Sequence, residues 1–182
     1  MTTTLPRPTP DDAAPYYFTY VDQVPPGDVL AVLAGGVAET RRAVEGLDAH
    51  HRYAPGKWTV AEVIGHVIDA ERVFGYRAFH MARGDAAALP GMDQDDYAAT
   101  CGAAGRSLAD LLDELDAVRR GHLHLFRGFD AAAWERTGTA SGVSFRVRAF
   151  PFILAGHEIH HRGILAERYA GSAGAGAAAG RP

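Results

Sequence analysis

From residue 150 to residue 169 the chain reads FPFILAGHEIHHRGILAERY, and no other stretch limits the fold so tightly. Wound as a helix at about 100° per residue, it gathers Phe150, Ile153, Leu154, Ile164 and Leu165 within an arc of roughly 120°. A helix buries such a stripe against its neighbours. His157 and His161 fall in the middle of the same arc, about 40° apart. A single inward histidine is ordinarily a core residue whose ring nitrogens have found partners. Two at i and i+4 converge on one point, as in zinc-binding helices, so this segment points to metal ligation.

The rest of the chain supplies helices to pack against it. Its 182 residues suit one domain with a sizeable core. Residues 1–15, rich in Thr, Pro and Asp, read as a disordered lead-in, and the Gly/Ala tail 171–182 as disordered too, which leaves a single domain over 16–170. The aromatic cluster 16–20 is expected to pack across that domain. Pro25-Pro26-Gly27-Asp28 opens a first helix over 28–46, with Gly35-Gly36 an unfavourable pair inside it. Thr59 and Glu62 form a capping box for a second helix running to about Arg83. Ser107 caps a third, whose leucine-rich pattern continues to about Arg127. A Gly/Ala/Asp-rich connection, 85–105, separates the second and third helices and holds Cys101, which reads as incidental. Residues 137–144 read as a loop, and the fourth helix is expected from Ser144 or just after, with Pro151 tolerated near its start. No convincing strand and no solenoid-period repeat is visible. The expected fold is all-α, a four-helix bundle whose long connection between helices 2 and 3 allows a crossover.

Charge and composition narrow the partners. A net charge of −4 leaves no electrostatic footprint for nucleic acid or an anionic membrane. No apolar run approaches the ~20 residues of a membrane span, and the N-terminus lacks the basic start and apolar run of a secretion signal. One cysteine excludes an internal disulfide and is compatible with a reducing compartment. A cytoplasmic protein without membrane or nucleic-acid partners is expected.

Two histidines on one helix need a third ligand from a facing helix. His66 alone among the others flanks the apolar arc of a well-defined helix. His50 and His51 lie in a connector, His80 near a helix end, and His122 and His124 are two apart and share no face; His122 reads as packing. Glu71 lies unexpectedly inside the arc of the second helix, where a carboxylate must meet a cation or donors. It reads as structural glue, with Arg77 able to reach it only across helices. Arg148 and Arg162 are expected to face solvent.

The run Trp58-Thr59-Val60-Ala61-Glu62-Val63-Ile64-Gly65-His66, with Gly156-His157-Glu158-Ile159-His160-His161-Arg162-Gly163 much later, resembles the DinB/YfiT-like superfamily of bacterial metal-binding four-helix proteins. One histidine on the second helix plus H-x3-H on the last is that family's ligand pattern, and His66, His157 and His161 all match it. The resemblance implies a divalent metal (zinc or nickel), a homodimer, and a small-molecule substrate. It further implies a thiol S-transferase, or a related transferase or hydrolase, using a low-molecular-weight thiol on a small electrophile. Glu158, about 100° round the helix from His157, is the candidate catalytic carboxylate, reaching a metal-bound ligand from the rim. It could instead orient His66 or pair with an arginine. The segment 157–161 also satisfies H-E-x-x-H, with Glu158 as the general base of a metalloprotease. Against that, no histidine follows to supply a third ligand and no sheet is expected for substrate pairing. A non-catalytic metal-binding or stress-associated protein would share the ligands without a substrate pocket.

Overall fold

The computed structural model describes residues 4–170. Four long helices carry the fold: α2 (Val29–Ala43), α3 (Val60–Ala82), α5 (Leu108–Arg127) and α7 (Ala149–Ile164). Short helices α1 (Phe18–Val21), α4 (Gln94–Thr100) and α6 (Ala131–Glu135) lie in the connections. Three long helices start where capping chemistry puts them. Asp28 accepts from the Leu30 N–H, Thr59 and Glu62 close a complete capping box, and Ser107 accepts from the Asp110 N–H.

The fourth starts later than expected, at Ala149, because the preceding segment is a β-hairpin rather than a loop. β1 (Thr137–Ala140) pairs antiparallel with β2 (Val143–Arg146) through a two-residue turn, Ser141-Gly142, whose φ angles are 53° and 75°. Positive φ at both positions is the hairpin turn whose twist matches its strands. A Ser-Gly pair between Thr, Val and Phe residues is a hairpin signal, masked here by the segment's high Gly/Ser/Thr content. Pro151 then sits in the first turn of α7, where its missing N–H costs no intrahelical bond.

The lead-in is also more ordered than its composition implies. Arg7 donates to the Val21 and Val24 carbonyls at 2.6 and 3.0 Å. Asp12 is buried and accepts from Arg146 at 2.7 Å and from Arg148 at 3.0 Å. Arg148 is thus a structural partner rather than a solvated side chain; the charge pairs order a stretch whose residues lack helical or strand propensity. The tail expected to be disordered lies outside the described residues.

The four helices form a ring in which α2 and α3 each pack against both α5 and α7. The core is split into two apolar clusters. One holds Leu33, Phe74, Phe126 and Phe150; the other holds Val37, Ile64, Leu111 and Leu165. Along the chain, α3 and α5 both enter through the second cluster and leave through the first, while α2 and α7 run the opposite way. Neighbours α3 and α5 are therefore parallel, and the long connection between them must return the length of the bundle. It does so with α4 and the turn at 103–105 laid against α3. This is the crossover that its length allowed. No helix of the described residues is long and apolar enough to cross a membrane.

The segment 15–21 lies against α7 because residue 156 has no side chain. A Cβ on Gly156 would drive into the backbone carbonyl of Tyr20. Gly156→Ala is accordingly expected to destabilise the domain by about 1–3 kcal/mol through overpacking that backbone cannot relieve by a rotamer change. Urea denaturation of the two proteins measures it, and an unchanged midpoint would mean that the segment shifts freely.

Candidate metal centre

Between the two apolar clusters lies a polar layer, and it has two parts. The first is an ion network touching all four long helices. Arg119 of α5 donates through Nε and Nη2 to the two oxygens of Glu71 on α3, at 2.8 and 2.9 Å. Its Nη1 donates to Glu158 Oε2 on α7 at 2.9 Å and to the Leu33 carbonyl on α2 at 2.8 Å. The other Glu158 oxygen accepts from Thr40 of α2 at 2.6 Å, and His122 Nδ1 is 3.1 Å from Glu71. Arg119, Glu71 and Glu158 are only 1–2% exposed. Burial alone would raise the Glu71 pKa, but Arg119 and His122 hold it down to about 2. Gly36 makes room: a Cβ there would meet the Glu158 carboxylate and Arg119. That close approach requires a glycine at position 36; nothing stands within 4 Å of a Cβ placed on Gly35, so the packing does not require the second glycine.

Two sequence expectations change here. Glu158 does not stand at the rim of the histidine site as a catalytic carboxylate. Both its oxygens are engaged by Thr40 and Arg119, because the 100° step from His157 turns it toward α2 and α5. It therefore offers no free oxygen as the general base of an H-E-x-x-H protease. Arg162 is not solvated either; it donates to the Gly36 carbonyl at 3.5 Å and stands 3.9 Å from Glu158. Glu71 is glue, as expected, but its cation is Arg119 and not Arg77. Arg119 was findable: it falls four residues after Leu115 and seven before Phe126, on the apolar stripe of its helix.

The second part of the layer is the histidine cluster. His66 on α3 and His157 and His161 on α7 are all buried, and one ring nitrogen from each lies within 4.8 Å of the other two. His66 Nε2 and His157 Nε2 are 3.1 Å apart. Two nitrogens bound tetrahedrally to zinc at 2.0–2.1 Å would stand about 3.3 Å apart, so this pair already has the spacing of ligands. Burial is the main cause of depressed basicity in all three rings. His66 falls to about 4, His161 to about 3, and His157 well below its ordinary value, with neighbouring imidazoles adding to the lowering of each. All three are neutral at pH 7 and present lone pairs. His66 Nδ1 is buried with no hydrogen-bond partner among the described residues, so a ligand on its other nitrogen would add the fixing contact that this one lacks. Donor type, spacing and charge state therefore fit a divalent ion.

Aromatic rings hold the imidazoles in place. Trp58 lies against His66 with ring centroids 4.8 Å apart, and Tyr20 meets His157 edge-on at 5.2 Å and His160 at 5.5 Å. His160 is half-buried and borders the site without joining the cluster. His80 bonds the Ala87 carbonyl near the end of α3.

The cluster opens on two cavities. The larger, about 590 Å³, is lined by His160 and His161 together with Trp58, Lys57, Tyr53 and Arg168. The smaller, about 170 Å³, is lined by His66 and His157 together with Phe74, Arg77, Tyr17 and Ser141. Tyr20 borders both.

The profile of the DinB superfamily matches residues 36–165, which takes in all three histidines and all four long helices but the start of α2. The chain belongs to the DinB superfamily. Among solved structures it is similar to YfiT from Bacillus subtilis, described as a probable metal-dependent hydrolase with an unusual four-helix bundle topology. That likeness covers 76% of this chain and 82% of YfiT, at 18% identity and a TM-score of 0.67, and it shows the shared fold. Comparison with curated proteins gives no match. Within this DinB-superfamily chain two neighbouring pairs run parallel, α3 with α5 and α2 with α7, and these are the departure from a simple up-and-down bundle.

Proposed function

We propose that this DinB-superfamily protein is a metal-dependent enzyme that binds zinc or nickel through His66, His157 and His161. Its reaction would be transfer of a low-molecular-weight thiol to a small electrophile, or hydrolysis of that electrophile. The observation that carries the reading is the meeting of three buried, neutral imidazoles, their nitrogens within 4.8 Å of one another and one pair at 3.1 Å, beside two cavities. A divalent ion held there by His66, His157 and His161 would supply Lewis acidity, lowering the pKa of a water or thiol bound to it.

The chain's own residues do the rest. Neutral imidazoles leave the full charge of an ion available. The larger cavity, with Lys57 and Arg168 on its wall, suits an anionic thiol; the smaller suits the electrophile. Burial and the Tyr16 hydroxyl raise the pKa of Tyr20, so this phenol stays protonated and can donate to a substrate oxygen. Likeness to YfiT supports the hydrolytic version of the reading, and the two-cavity arrangement favours the transfer version. A purely metal-storing or stress-associated protein would have no use for cavities flanking its ligands.

Elemental analysis tests the site first. Protein purified without chelator is expected to hold about one divalent ion per chain, and His157→Ala to lose most of it. His160→Ala is expected to retain its metal. Equal metal in wild type and His157→Ala would sink the site, and comparable loss in His160→Ala would mean a different ligand set. Consumption of common thiols by the metal-loaded protein with small electrophiles then separates an enzyme from a storage protein.

A further inference from the structure

Arg77 is a buried cation that no carboxylate among the described residues neutralises. It is 4% exposed, yet among the described residues its hydrogen bonds go to neutral oxygens: Nη2 donates to the Pro90 carbonyl at 3.1 Å and to Ser141 Oγ at 2.8 Å. The Tyr17 hydroxyl stands beside it, and its guanidinium lies 5.3 Å from the centroid of the Phe74 ring. Arg119 and Arg148, by contrast, each meet two carboxylates. A buried charge is retained at a cost unless something pairs with it.

The surroundings hold the Arg77 guanidinium in one place. Ser141, whose Oγ accepts the hydrogen bond from Nη2, is the one non-glycine residue with positive φ among the described residues. Glycine or asparagine would occupy that turn position with less strain, so a serine there spends conformational energy on its hydroxyl. The Ser141 N–H is bonded to the Leu89 carbonyl at 3.1 Å, which fixes the turn against the connection that carries Pro90. Both oxygens holding Nη2 are thereby immobilised.

Arg77 also lines the 170 Å³ cavity that contains His66 and His157. Eleven residues separate His66 from Arg77 on α3, close to three full turns, so both lie on one face about 16 Å apart along the axis. Helical side chains lean toward the N-terminus, which brings the long Arg77 side chain back toward His66. At roughly 30 Å³ per water, the cavity has room for a molecule of about six heavy atoms.

We propose that Arg77, positioned by Ser141 and Pro90, binds the carboxylate of a small organic acid whose other end lies against His66 and His157. The assignment rests on the reading of the histidine cluster as the reaction centre, and it names the substrate class: small acids carrying the electrophilic carbon away from the carboxylate. The apolar Phe74 and Val73 walls fit the short carbon chain between the two ends. Arg77 is a substrate-binding residue in this scheme, with its free donors making a charge-assisted pair.

Chelator-treated full-length protein tests this without relying on metal or turnover. Butyrate and its neutral isostere butyramide are titrated against it by NMR, reading affinity and the shifts of the His66 and His157 ring signals. Butyrate is expected to bind at least about tenfold more tightly than butyramide and to shift both rings; in Arg77→Gln the preference disappears. Equal affinities for acid and amide in the wild type would overturn the proposal, and that comparison needs no variant. So would an undiminished preference in Arg77→Gln that melts like wild type. A protein that binds butyrate in this way but takes up no metal would leave the anion site standing and remove the proposed reaction; the converse result would do the reverse.

Discussion

Arg119→Met is expected to cost the fold about 3–5 kcal/mol, enough to unfold most of a marginally stable domain. The reason is what remains behind. Glu71 and Glu158 are each 2% exposed, and Arg119 makes three of their charge-assisted bonds at 2.8 to 2.9 Å. Without it the Leu33 carbonyl also loses its partner. Methionine replaces the volume but leaves two carboxylates facing each other across a dry layer, where they must take up protons or open the bundle to water. Urea denaturation at pH 7.5 measures the loss. A triple variant, Arg119→Met with Glu71→Gln and Glu158→Gln, is expected to recover a large part of it, since the neutral network no longer holds an unpaired charge. A single variant as stable as wild type would mean that water reaches the layer and that the network holds nothing together.

Chelator-treated protein is expected to lose stability steeply as pH falls below about 6.5, the ordinary histidine value. Above that pH the three rings are neutral in both the folded and the unfolded chain, and their contribution is fully present. Below it the unfolded chain gains protons that the buried rings refuse, so the unfolded state is favoured. Each ring costs about 1.4 kcal/mol per pH unit until its folded pKa is reached. That limit is about 4 for His66 and about 3 for His161. Glu71, held down to about 2, adds a further loss below its own ordinary value, since its paired carboxylate must then resist protonation. Urea midpoints at pH 7.5, 6 and 5 would show the slope, and a flat profile across that range would show that the folded rings protonate freely. Saturating zinc at pH 7.5 is expected to raise the midpoint, as any ligand of the folded state alone must.

The parts of this protein that could be read along the chain are those set by short-range geometry. The i, i+4 spacing of His157 and His161 is a property of any α-helix, so their convergence was visible without a fold. Thr59-x-x-Glu62 and Ser107 mark helix starts because the capping bonds close within three residues. His66 could be singled out because its helix had a well-defined buried face. Residues 137–146 misled because Ser, Thr and Gly serve a tight hairpin as well as they serve a loop, and only pairing across the turn distinguishes the two. Arg7, Asp12 and Arg148 misled for a related reason: their order comes from partners far along the chain.

Local rules along the chain thus define a helical domain with two imidazoles one turn apart and a third on another helix's buried face. Long-range packing set their surroundings. It turned Glu158 away from the histidines into a buried pair with Arg119, laid α3 parallel to α5, and left Arg77, beside the cavity of His66 and His157, without a counter-ion among the described residues. Local spacing fixes which side chains share a helix face, because 3.6 residues per turn is the same everywhere. Which face meets which neighbour depends on long-range packing, and there a buried charge takes whichever partner the other helices bring within hydrogen-bond reach.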